Sequence, residues 1–305
     1  MPTIQSRFFL PNSKLALDGN DYTQCYNPSV VDVGGKTYMF YRHAAGPSTT
    51  DTFIAYIELD RNCRILGTPK RLDIPLYNLN IHTIDDPRAF VWMGQLYISC
   101  VFCHNVEGRW SGALGLVKIN PDSFKCEAPF FPQIGSNKNR VSFPGDGKNA
   151  IEKNWTPFTH GDDLFLIYAI DPLIVTMWDA KKRLFIEVWH GENHGKHVSG
   201  GTPLIPTAPD KYFSMWHDHV EISGQTMYRA GFWELDFKNM RASVDYKTPL
   251  EGNGDVYHNA KQDLSKFYFH KLNVVFPGGI VDRATNWYVS SGWNDCRCEI
   301  IDILK

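Results

Sequence analysis

The chain has 305 residues, a formal net charge of −2 and 14% aromatic residues, a near-neutral balance that gives no long-range attraction to nucleic acid or an anionic membrane. No stretch approaches the ~18 consecutive apolar residues of a membrane span, and residues 1–13 lack the basic head and apolar core of a signal peptide. Seven cysteines, an odd number, favour a reducing, cytoplasmic setting over a disulfide framework.

Taken in order, the chain repeats one unit: a proline, an apolar run, a turn and a second apolar run. The first copy is Asn27-Pro28-Ser29-Val30-Val31, then Gly34-Gly35, then Thr37-Tyr38-Met39-Phe40-Tyr41-Arg42. The second runs from Asp85-Asp86-Pro87-Arg88-Ala89-Phe90 through Gly94 to Leu96-Tyr97-Ile98-Ser99-Cys100-Val101-Phe102. The third passes from Thr156-Pro157-Phe158 through Gly161-Asp162-Asp163 to Leu164-Phe165-Leu166-Ile167-Tyr168, and the fourth from Thr202-Pro203-Leu204-Ile205 to Tyr212-Phe213-Ser214-Met215-Trp216-His217. The fifth joins Phe276-Pro277-Gly278-Gly279-Ile280-Val281 to Trp287-Tyr288-Val289-Ser290-Ser291. Proline lacks a backbone donor, so each proline is expected to open its strand. Third strands follow most copies, at residues 52–60, 113–119, 227–236 and 297–303, and 181–189 alternates as a further strand. Short strands bounded by turn residues mark an all-β fold. Five repeats of three or four strands predict one domain over residues 1–305, a five-bladed β-propeller whose proline-headed clusters converge on a central funnel. Phe8-Phe9-Leu10 is expected to dock on a blade.

Between the copies, residues 138–153 and 191–201 read as long loops, a type that is often functional, and 244–266 carries no motif. Cys100 and Cys103 match C-x-x-C, but residues three apart on a strand face opposite sides, which weakens a redox or zinc reading. Asn154-Trp155-Thr156 is a glycosylation sequon that falls inside the expected funnel.

The clusters define the chemistry. They present Asn27 and Arg42; Asp85, Asp86 and Arg88; Glu152, Lys153, Asn154, Trp155 and Asp171; His217 and Asp218; and Asn294 and Asp295. A ring of carboxylates, cations, amides and tryptophan suits a carbohydrate-processing pocket. Carboxylates grip hydroxyls and protonate departing oxygens, aromatic rings stack on the apolar face of a sugar, and cations neutralise phosphate.

The set Asn27-Pro28 with Tyr41-Arg42, Asp85-Asp86-Pro87-Arg88, Lys153-Asn154-Trp155-x-Pro157-Phe158, Gly200-Gly201-Thr202-Pro203, Trp216-His217 with Tyr228, and Val275-Phe276-Pro277-Gly278-Gly279 with Ser291-Gly292-x-x-Asp295 resembles family-130 glycoside hydrolases. These are the β-mannoside phosphorylases and the related β-1,2-mannosyltransferase/phosphorylases that use GDP-mannose. The resemblance runs from about Asn27 to Asp302. It implies a five-bladed propeller and an inverting reaction with no metal or organic cofactor, in which phosphate or GDP-mannose is a co-substrate and a mannoside the other partner. The family's general acid, the Asp of an E-D-P-R motif, falls on Asp86. Asp85 stands where the family usually has Glu. In the phosphorylases this acid acts through a hydroxyl of the mannosyl ring. The family's phosphate ligands fall on Arg42, Arg88 or Lys153, His217 and Tyr228, and its last sugar-binding Asp on Asp295. The Lys153 box departs from the usual pattern of the bacterial phosphorylases. Asn27, Asp85, Asn154, Trp155 and Asp171 complete the expected substrate-binding set.

Three other readings stand beside this one. An inverting hydrolase needs a second carboxylate ~6.5–9.5 Å from the acid to activate water, for which Glu152 is the candidate. A glycan-binding propeller without turnover would dispense with the acid. His217 and His219 share a strand face and could chelate zinc. Within the pair of aspartates, the proline after Asp86 is expected to hold that residue extended, so that Asp85 and Asp86 point to opposite faces and only Asp86 meets the funnel.

Overall fold

The structure is a computed structural model that describes residues 2–44, 52–77, 79–106, 109–134, 153–196, 198–222, 225–250 and 274–305. Glu152, His197 and most of the loops expected at 138–153 and 244–266 lie outside the described residues. The first blade is β2 (Cys25–Val33), β3 (Lys36–Ala44), β4 (Thr52–Leu59) and β5 (Lys70–Arg71). The second is β6 (Thr83–Trp92), β7 (Gln95–Val106) and β8 (Arg109–Ile119), and the third β9 (Thr156–His160), β10 (Asp163–Ile170), β11 (Leu173–Asp179) and β12 (Leu184–His190). The fourth orders β13 (Ser199–Gly200), β15 (Lys211–Ile222), β16 (Gln225–Asp236) and β17 (Arg241–Val244), with β14 (Ile205–Ala208) also paired to β15. The fifth is β18 (Val275–Asp282), β19 (Asn286–Trp293) and β20 (Arg297–Leu304). Five antiparallel sheets set radially are the five-bladed β-propeller, and among the described residues the only helix is a single turn, Asn12–Leu15.

The hairpins inside the blades follow from local chemistry. Trp92 pairs with Gln95 around a two-residue turn in which Met93 and Gly94 have φ of 49° and 69°, the arrangement whose twist matches the flanking strands. The apolar runs then alternate between the two faces of each sheet, and the large side chains form cores between neighbouring blades. One such core packs Phe40 and Ile54 of the first blade against Leu96, Ile98 and Phe102 of the second.

Pro157 stands second in β9 and Pro203 just ahead of β14, near the openings expected of them, but the other three prolines do not open their strands. Pro28 and Pro87 lie inside β2 and β6, and Pro277 inside β18, each where the pairing register shifts. These shifts are β-bulges, which tolerate a proline because the ladder is already interrupted. A bulge frees backbone donors, and hydroxyls of the neighbouring blade take them up. Ala89 N–H donates to Ser29 Oγ at 2.8 Å, and Val30 N–H donates to Ser290 Oγ at 3.0 Å. The inner strands consequently press backbone to backbone. A Cβ on Gly279 would lie 2.2 Å from Val30 N, so only glycine fits there.

The N-terminal segment does more than dock. β1 (Thr3–Phe9) pairs along β20 as the outermost strand of the fifth blade, so the first and last strands close the ring. Arg7 and Glu299 clasp this seam in a buried bidentate pair, at 2.5 and 2.9 Å. Burial pushes the Glu299 carboxyl up to about 7, with Arg7 working in the opposite direction. A raised folded value means that the stability due to Glu299 is full below the unfolded value near 4.5 and is lost as pH rises through about 7. Relative to Glu299→Gln, the native protein should therefore lose on the order of 3 kcal/mol between pH 4.5 and pH 8. Parallel urea titrations of the two proteins across that range would show it, and curves that stay parallel would overturn it.

Candidate active site

The bulges that interrupt the inner strands also build the site. Asn27 and Asp86 occupy matching positions before Pro28 and Pro87, with φ of 48° and 51°. This left-handed backbone is one that Asn and Asp tolerate better than most residues. It overturns the expectation of an extended Asp86 with Asp85 turned away. The bulge rotates both carboxylates onto one cavity, and the two converge on Arg42 of β3. Arg42 Nε lies 2.9 Å from Asp85 Oδ1, and Nη1 lies 3.7 Å from Asp86 Oδ1.

This cavity measures about 150 Å³ and is lined by Asn27, Arg42, Asp85, Asp86, Lys153, Tyr228 and Asp295, with Val101, Cys103, Val274 and Phe276 as its apolar wall. Blades one, two, four and five thus each send side chains into it, and Lys153 enters from just ahead of the third. A larger cavity of about 510 Å³ lies at the rim beside Phe213, Phe232 and Trp233. Its charged groups, Glu234, Asp245 and Lys247, all come from the fourth blade and the segment after it, whereas the central cavity gathers acids and cations from several blades and is the candidate site.

The two carboxylates are held differently. Asp85 accepts hydrogen bonds from Thr52 Oγ1 at 2.8 Å and Thr83 Oγ1 at 3.1 Å. Burial raises its proton affinity, the charge of Asp86 adds to this, and Arg42 and the hydroxyls oppose it, with a net upward shift. Asp86 accepts from Asn27 Nδ2 at 2.8 Å. Burial works to raise Asp86 too, but Arg42, Lys153, Arg88 and the Asn27 amide together outweigh it and hold the group below its ordinary value. Two neighbouring carboxyls whose proton affinities are driven apart are the usual basis for dividing acid and base roles.

Several expected ligands stand elsewhere. Arg88 is 1% exposed and spans the axis as a clasp. Its Nε donates to Gly201 O at 2.6 Å, and Nη2 to Gly200 O at 3.0 Å and Asn154 Oδ1 at 3.2 Å. Its charge reaches the cavity, but its side chain and that of Asn154 are engaged with each other behind the wall. His217 is also buried, packed on Phe276 with ring centroids 4.5 Å apart, and does not line the cavity. Burial, with Arg88 and Lys153 nearby, lowers it to about 3, so it is neutral at physiological pH and adds no positive charge. Trp155 is 1% exposed, packed on Tyr168 in the core between the second and third blades, and cannot stack on a ligand. Asp171 lies in the β10–β11 turn, where it accepts the backbone N–H groups of His194 and Lys196, and it lines a separate cavity. Among the described residues no cluster of His, Cys, Asp and Glu could hold a metal ion.

Sequence reasoning missed Phe276 and the two threonines that hold Asp85. A signal for Phe276 was present, because the residue before the proline lines the cavity in the first, second and fifth copies. Cys103 follows Val101 by two on β7 and shares its face, a period-two signal that was also readable.

Arg42 neutralises two buried acids, and removing one partner of such a pair leaves uncompensated charge. Arg42→Ala should therefore cost about 3–5 kcal/mol of unfolding free energy. Chemical denaturation at pH 7 measures this, and a loss under 1 kcal/mol would mean the carboxylates do not depend on it.

No family model and no curated protein matches this sequence. Solved structures do. A GDP-mannose-dependent mannosyltransferase from Leishmania mexicana superposes with a TM-score of 0.66 at 15% identity, covering 99% of this chain and 91% of that one. A β-1,2-mannobiose phosphorylase from Listeria innocua, solved with β-1,2-mannobiose, gives 0.64 at 14% identity over 98% and 97%. A mannose phosphorylase from Leishmania mexicana, solved with phosphate ion, gives 0.61 at 12% identity over 98% and 88%. At these identities the likeness establishes the propeller fold.

Proposed function

We propose that the protein is a carbohydrate-active enzyme that makes or breaks β-mannosidic linkages, of the β-1,2 type, by inverting phosphorolysis or by mannosyl transfer. The observation that carries this reading is the central cavity, where a carboxylate pair and the cations Arg42 and Lys153 meet in one small space. A phosphorylase needs one acid and an anion pocket, and needs no second carboxylate to activate water. The solved neighbours that bind phosphate and β-mannobiose support the same choice.

In this mechanism phosphate enters against Arg42 and Lys153, with the Tyr228 hydroxyl beside them. A phosphate oxygen attacks the anomeric carbon of the mannosyl unit from the face opposite the glycosidic oxygen. The carbon–oxygen bond breaks, its electron pair leaves with that oxygen, and Asp86 supplies the proton, relayed through a hydroxyl of the mannosyl ring. The products are mannose 1-phosphate of inverted configuration and a shortened glycan. In the empty site the cations hold Asp86 ionised. Bound phosphate neutralises those cations, which raises Asp86 and lets it carry the proton when the nucleophile is in place. Transfer from GDP-mannose would use the same pocket for the departing diphosphate, with Asp86 taking the acceptor's proton. Asn27, Asp85 and Asp295, which line the same cavity, would grip sugar hydroxyls. No metal or organic cofactor enters this mechanism. Seven free thiols fit a cytosolic setting, where phosphate and nucleotide sugars are supplied, and no described helix is long and apolar enough to cross a membrane.

Incubation with β-1,2-mannobiose and phosphate, with and without added GDP-mannose, tests the activity through mannose 1-phosphate or lengthened glycan. Free mannose alone would point to hydrolysis, with Glu152 as the base carboxylate. Asp86→Asn should lower turnover by at least ~10²–10⁴-fold, the usual worth of general acid–base help, while sugar binding persists. Asp85→Asn should stay measurably active, and the reverse pattern would exchange the two roles. Phosphate at a hundred times its dissociation constant should stabilise the fold by about 2.7 kcal/mol. Lys153→Ala, an exposed side chain, should weaken that gain without altering the phosphate-free melting temperature. A gain that survives the substitution would remove Lys153 from the anion site.

A further inference from the structure

A third cavity, of about 440 Å³, lies between the third and fourth blades. That size falls within the ~300–1,000 Å³ of small-molecule sites. Its walls include two aromatic side chains that are unusually open for their size, Trp189 at 39% exposure and Tyr246 at 38%. Trp189 is the last residue but one of the outer strand β12, and one edge of its indole lies beside Gly191. A Cβ on Gly191 would lie 3.4 Å from Trp189 Nε1, and Gly191 N–H donates to Leu173 O at 2.8 Å. Lys196 Nζ sits 5.6 Å from the centre of the Tyr246 ring. The loop that carries Glu192, His194 and Lys196 is pinned from below by Asp171, which accepts backbone N–H bonds from His194 at 2.8 Å and Lys196 at 2.6 Å. Asp171 thus ties this loop to the β10–β11 turn beneath it.

The chemistry of these walls selects a class of ligand. Exposed aromatic rings offer flat apolar platforms with polar edges. Around them, Asp171 and Glu192 balance Lys196 and Arg241, so the cavity favours neither an anion nor a cation. Platforms rimmed by balanced hydrogen-bonding groups suit a neutral polyol, whose C–H faces stack while its hydroxyls bridge donors and acceptors. The location also fits. β9 and β10 run antiparallel with Thr156 opposite Ile167, so the Asp171 turn lies at the same end of the third blade as Lys153 of the central cavity. A glycan leaving that cavity over the third blade runs towards this groove.

We infer that the groove is a second carbohydrate site, which holds the distal sugars of a neutral oligosaccharide while its end occupies the central cavity. The inference rests on the mannoside reading for the identity of the sugar, and its test separates the two. The full-length protein is labelled with 5-fluorotryptophan, and the Trp189 resonance is assigned with Trp189→Phe. Titration with β-1,2-mannohexaose should shift that resonance, and β-1,2-mannobiose should leave it in place. In kinetics, Trp189→Ala should raise KM for the hexaose roughly tenfold, the worth of one good aromatic contact, with kcat and mannobiose turnover unchanged. If neither mannoside is turned over, the activity proposed for the central cavity fails, while the fluorine shift still reports on the groove. A Trp189 resonance unmoved by the hexaose overturns the inference. So does one that moves only with a polyanion such as heparin. The fluorine experiment on native protein remains decisive if Trp189→Ala does not fold.

Discussion

The structure depends on a single backbone constraint, the bulge that each of three inner strands carries at its proline. An uninterrupted strand would send neighbouring side chains to opposite faces. At Asn27 and Asp86 the chain instead turns through left-handed φ, 48° and 51°, and two consecutive side chains reach the axis together. The same bulges free backbone donors that Ser29 and Ser290 satisfy from the adjacent blades. Packing of the blades and assembly of the acid pair are therefore one event. The glycines at the axis complete it, because the inner strands of the fifth and first blades meet where no Cβ would fit.

The electrostatics of the centre follow from that crowding. Arg88 cannot leave its place, since its guanidinium is shared among Gly200, Gly201 and Asn154 on the far side of the axis. It acts as a fixed positive background that depresses both Asp86 and His217. Arg42 is committed to the acids, and Lys153 is the exposed cation of the set. The cavity thus combines one exposed cation with several buried or ion-paired charges, and an anion entering it meets a field already oriented.

Much of this was legible in the sequence. Apolar runs of strand length, punctuated by glycine and proline, fix the blades, and the residues flanking the prolines mark the axis. What failed to show was facing. Whether Asp85 accompanies Asp86 depends on one dihedral at the bulge, and alternation rules assume it away. Trp155 and His217 carry binding chemistry in their side chains, but their neighbours on the adjacent blades, Phe90 and Leu114 for Trp155 and Phe276 for His217, close over them. Arg88 reads as a ligand for the same reason: composition reveals the charge, and only the register of three blades reveals that its donors are spent. Asp171 is an acid in a turn, and its partners are backbone N–H groups more than twenty residues later in the chain.

The pairing of β1 with β20 sets an order of events during synthesis. Arg7 and Glu299 are 292 residues apart, so the strand made near the beginning waits unpaired until β20 has left the ribosome. Blades two to four can form as they emerge, since their strands pair with near neighbours. The central cavity cannot, because it takes Arg42 from the first blade and Phe276 and Asp295 from the region of the fifth. A nascent chain stalled before the last blade would hold most of its final sheet structure and no complete site. The central cavity therefore assembles abruptly, once the fifth blade is in place.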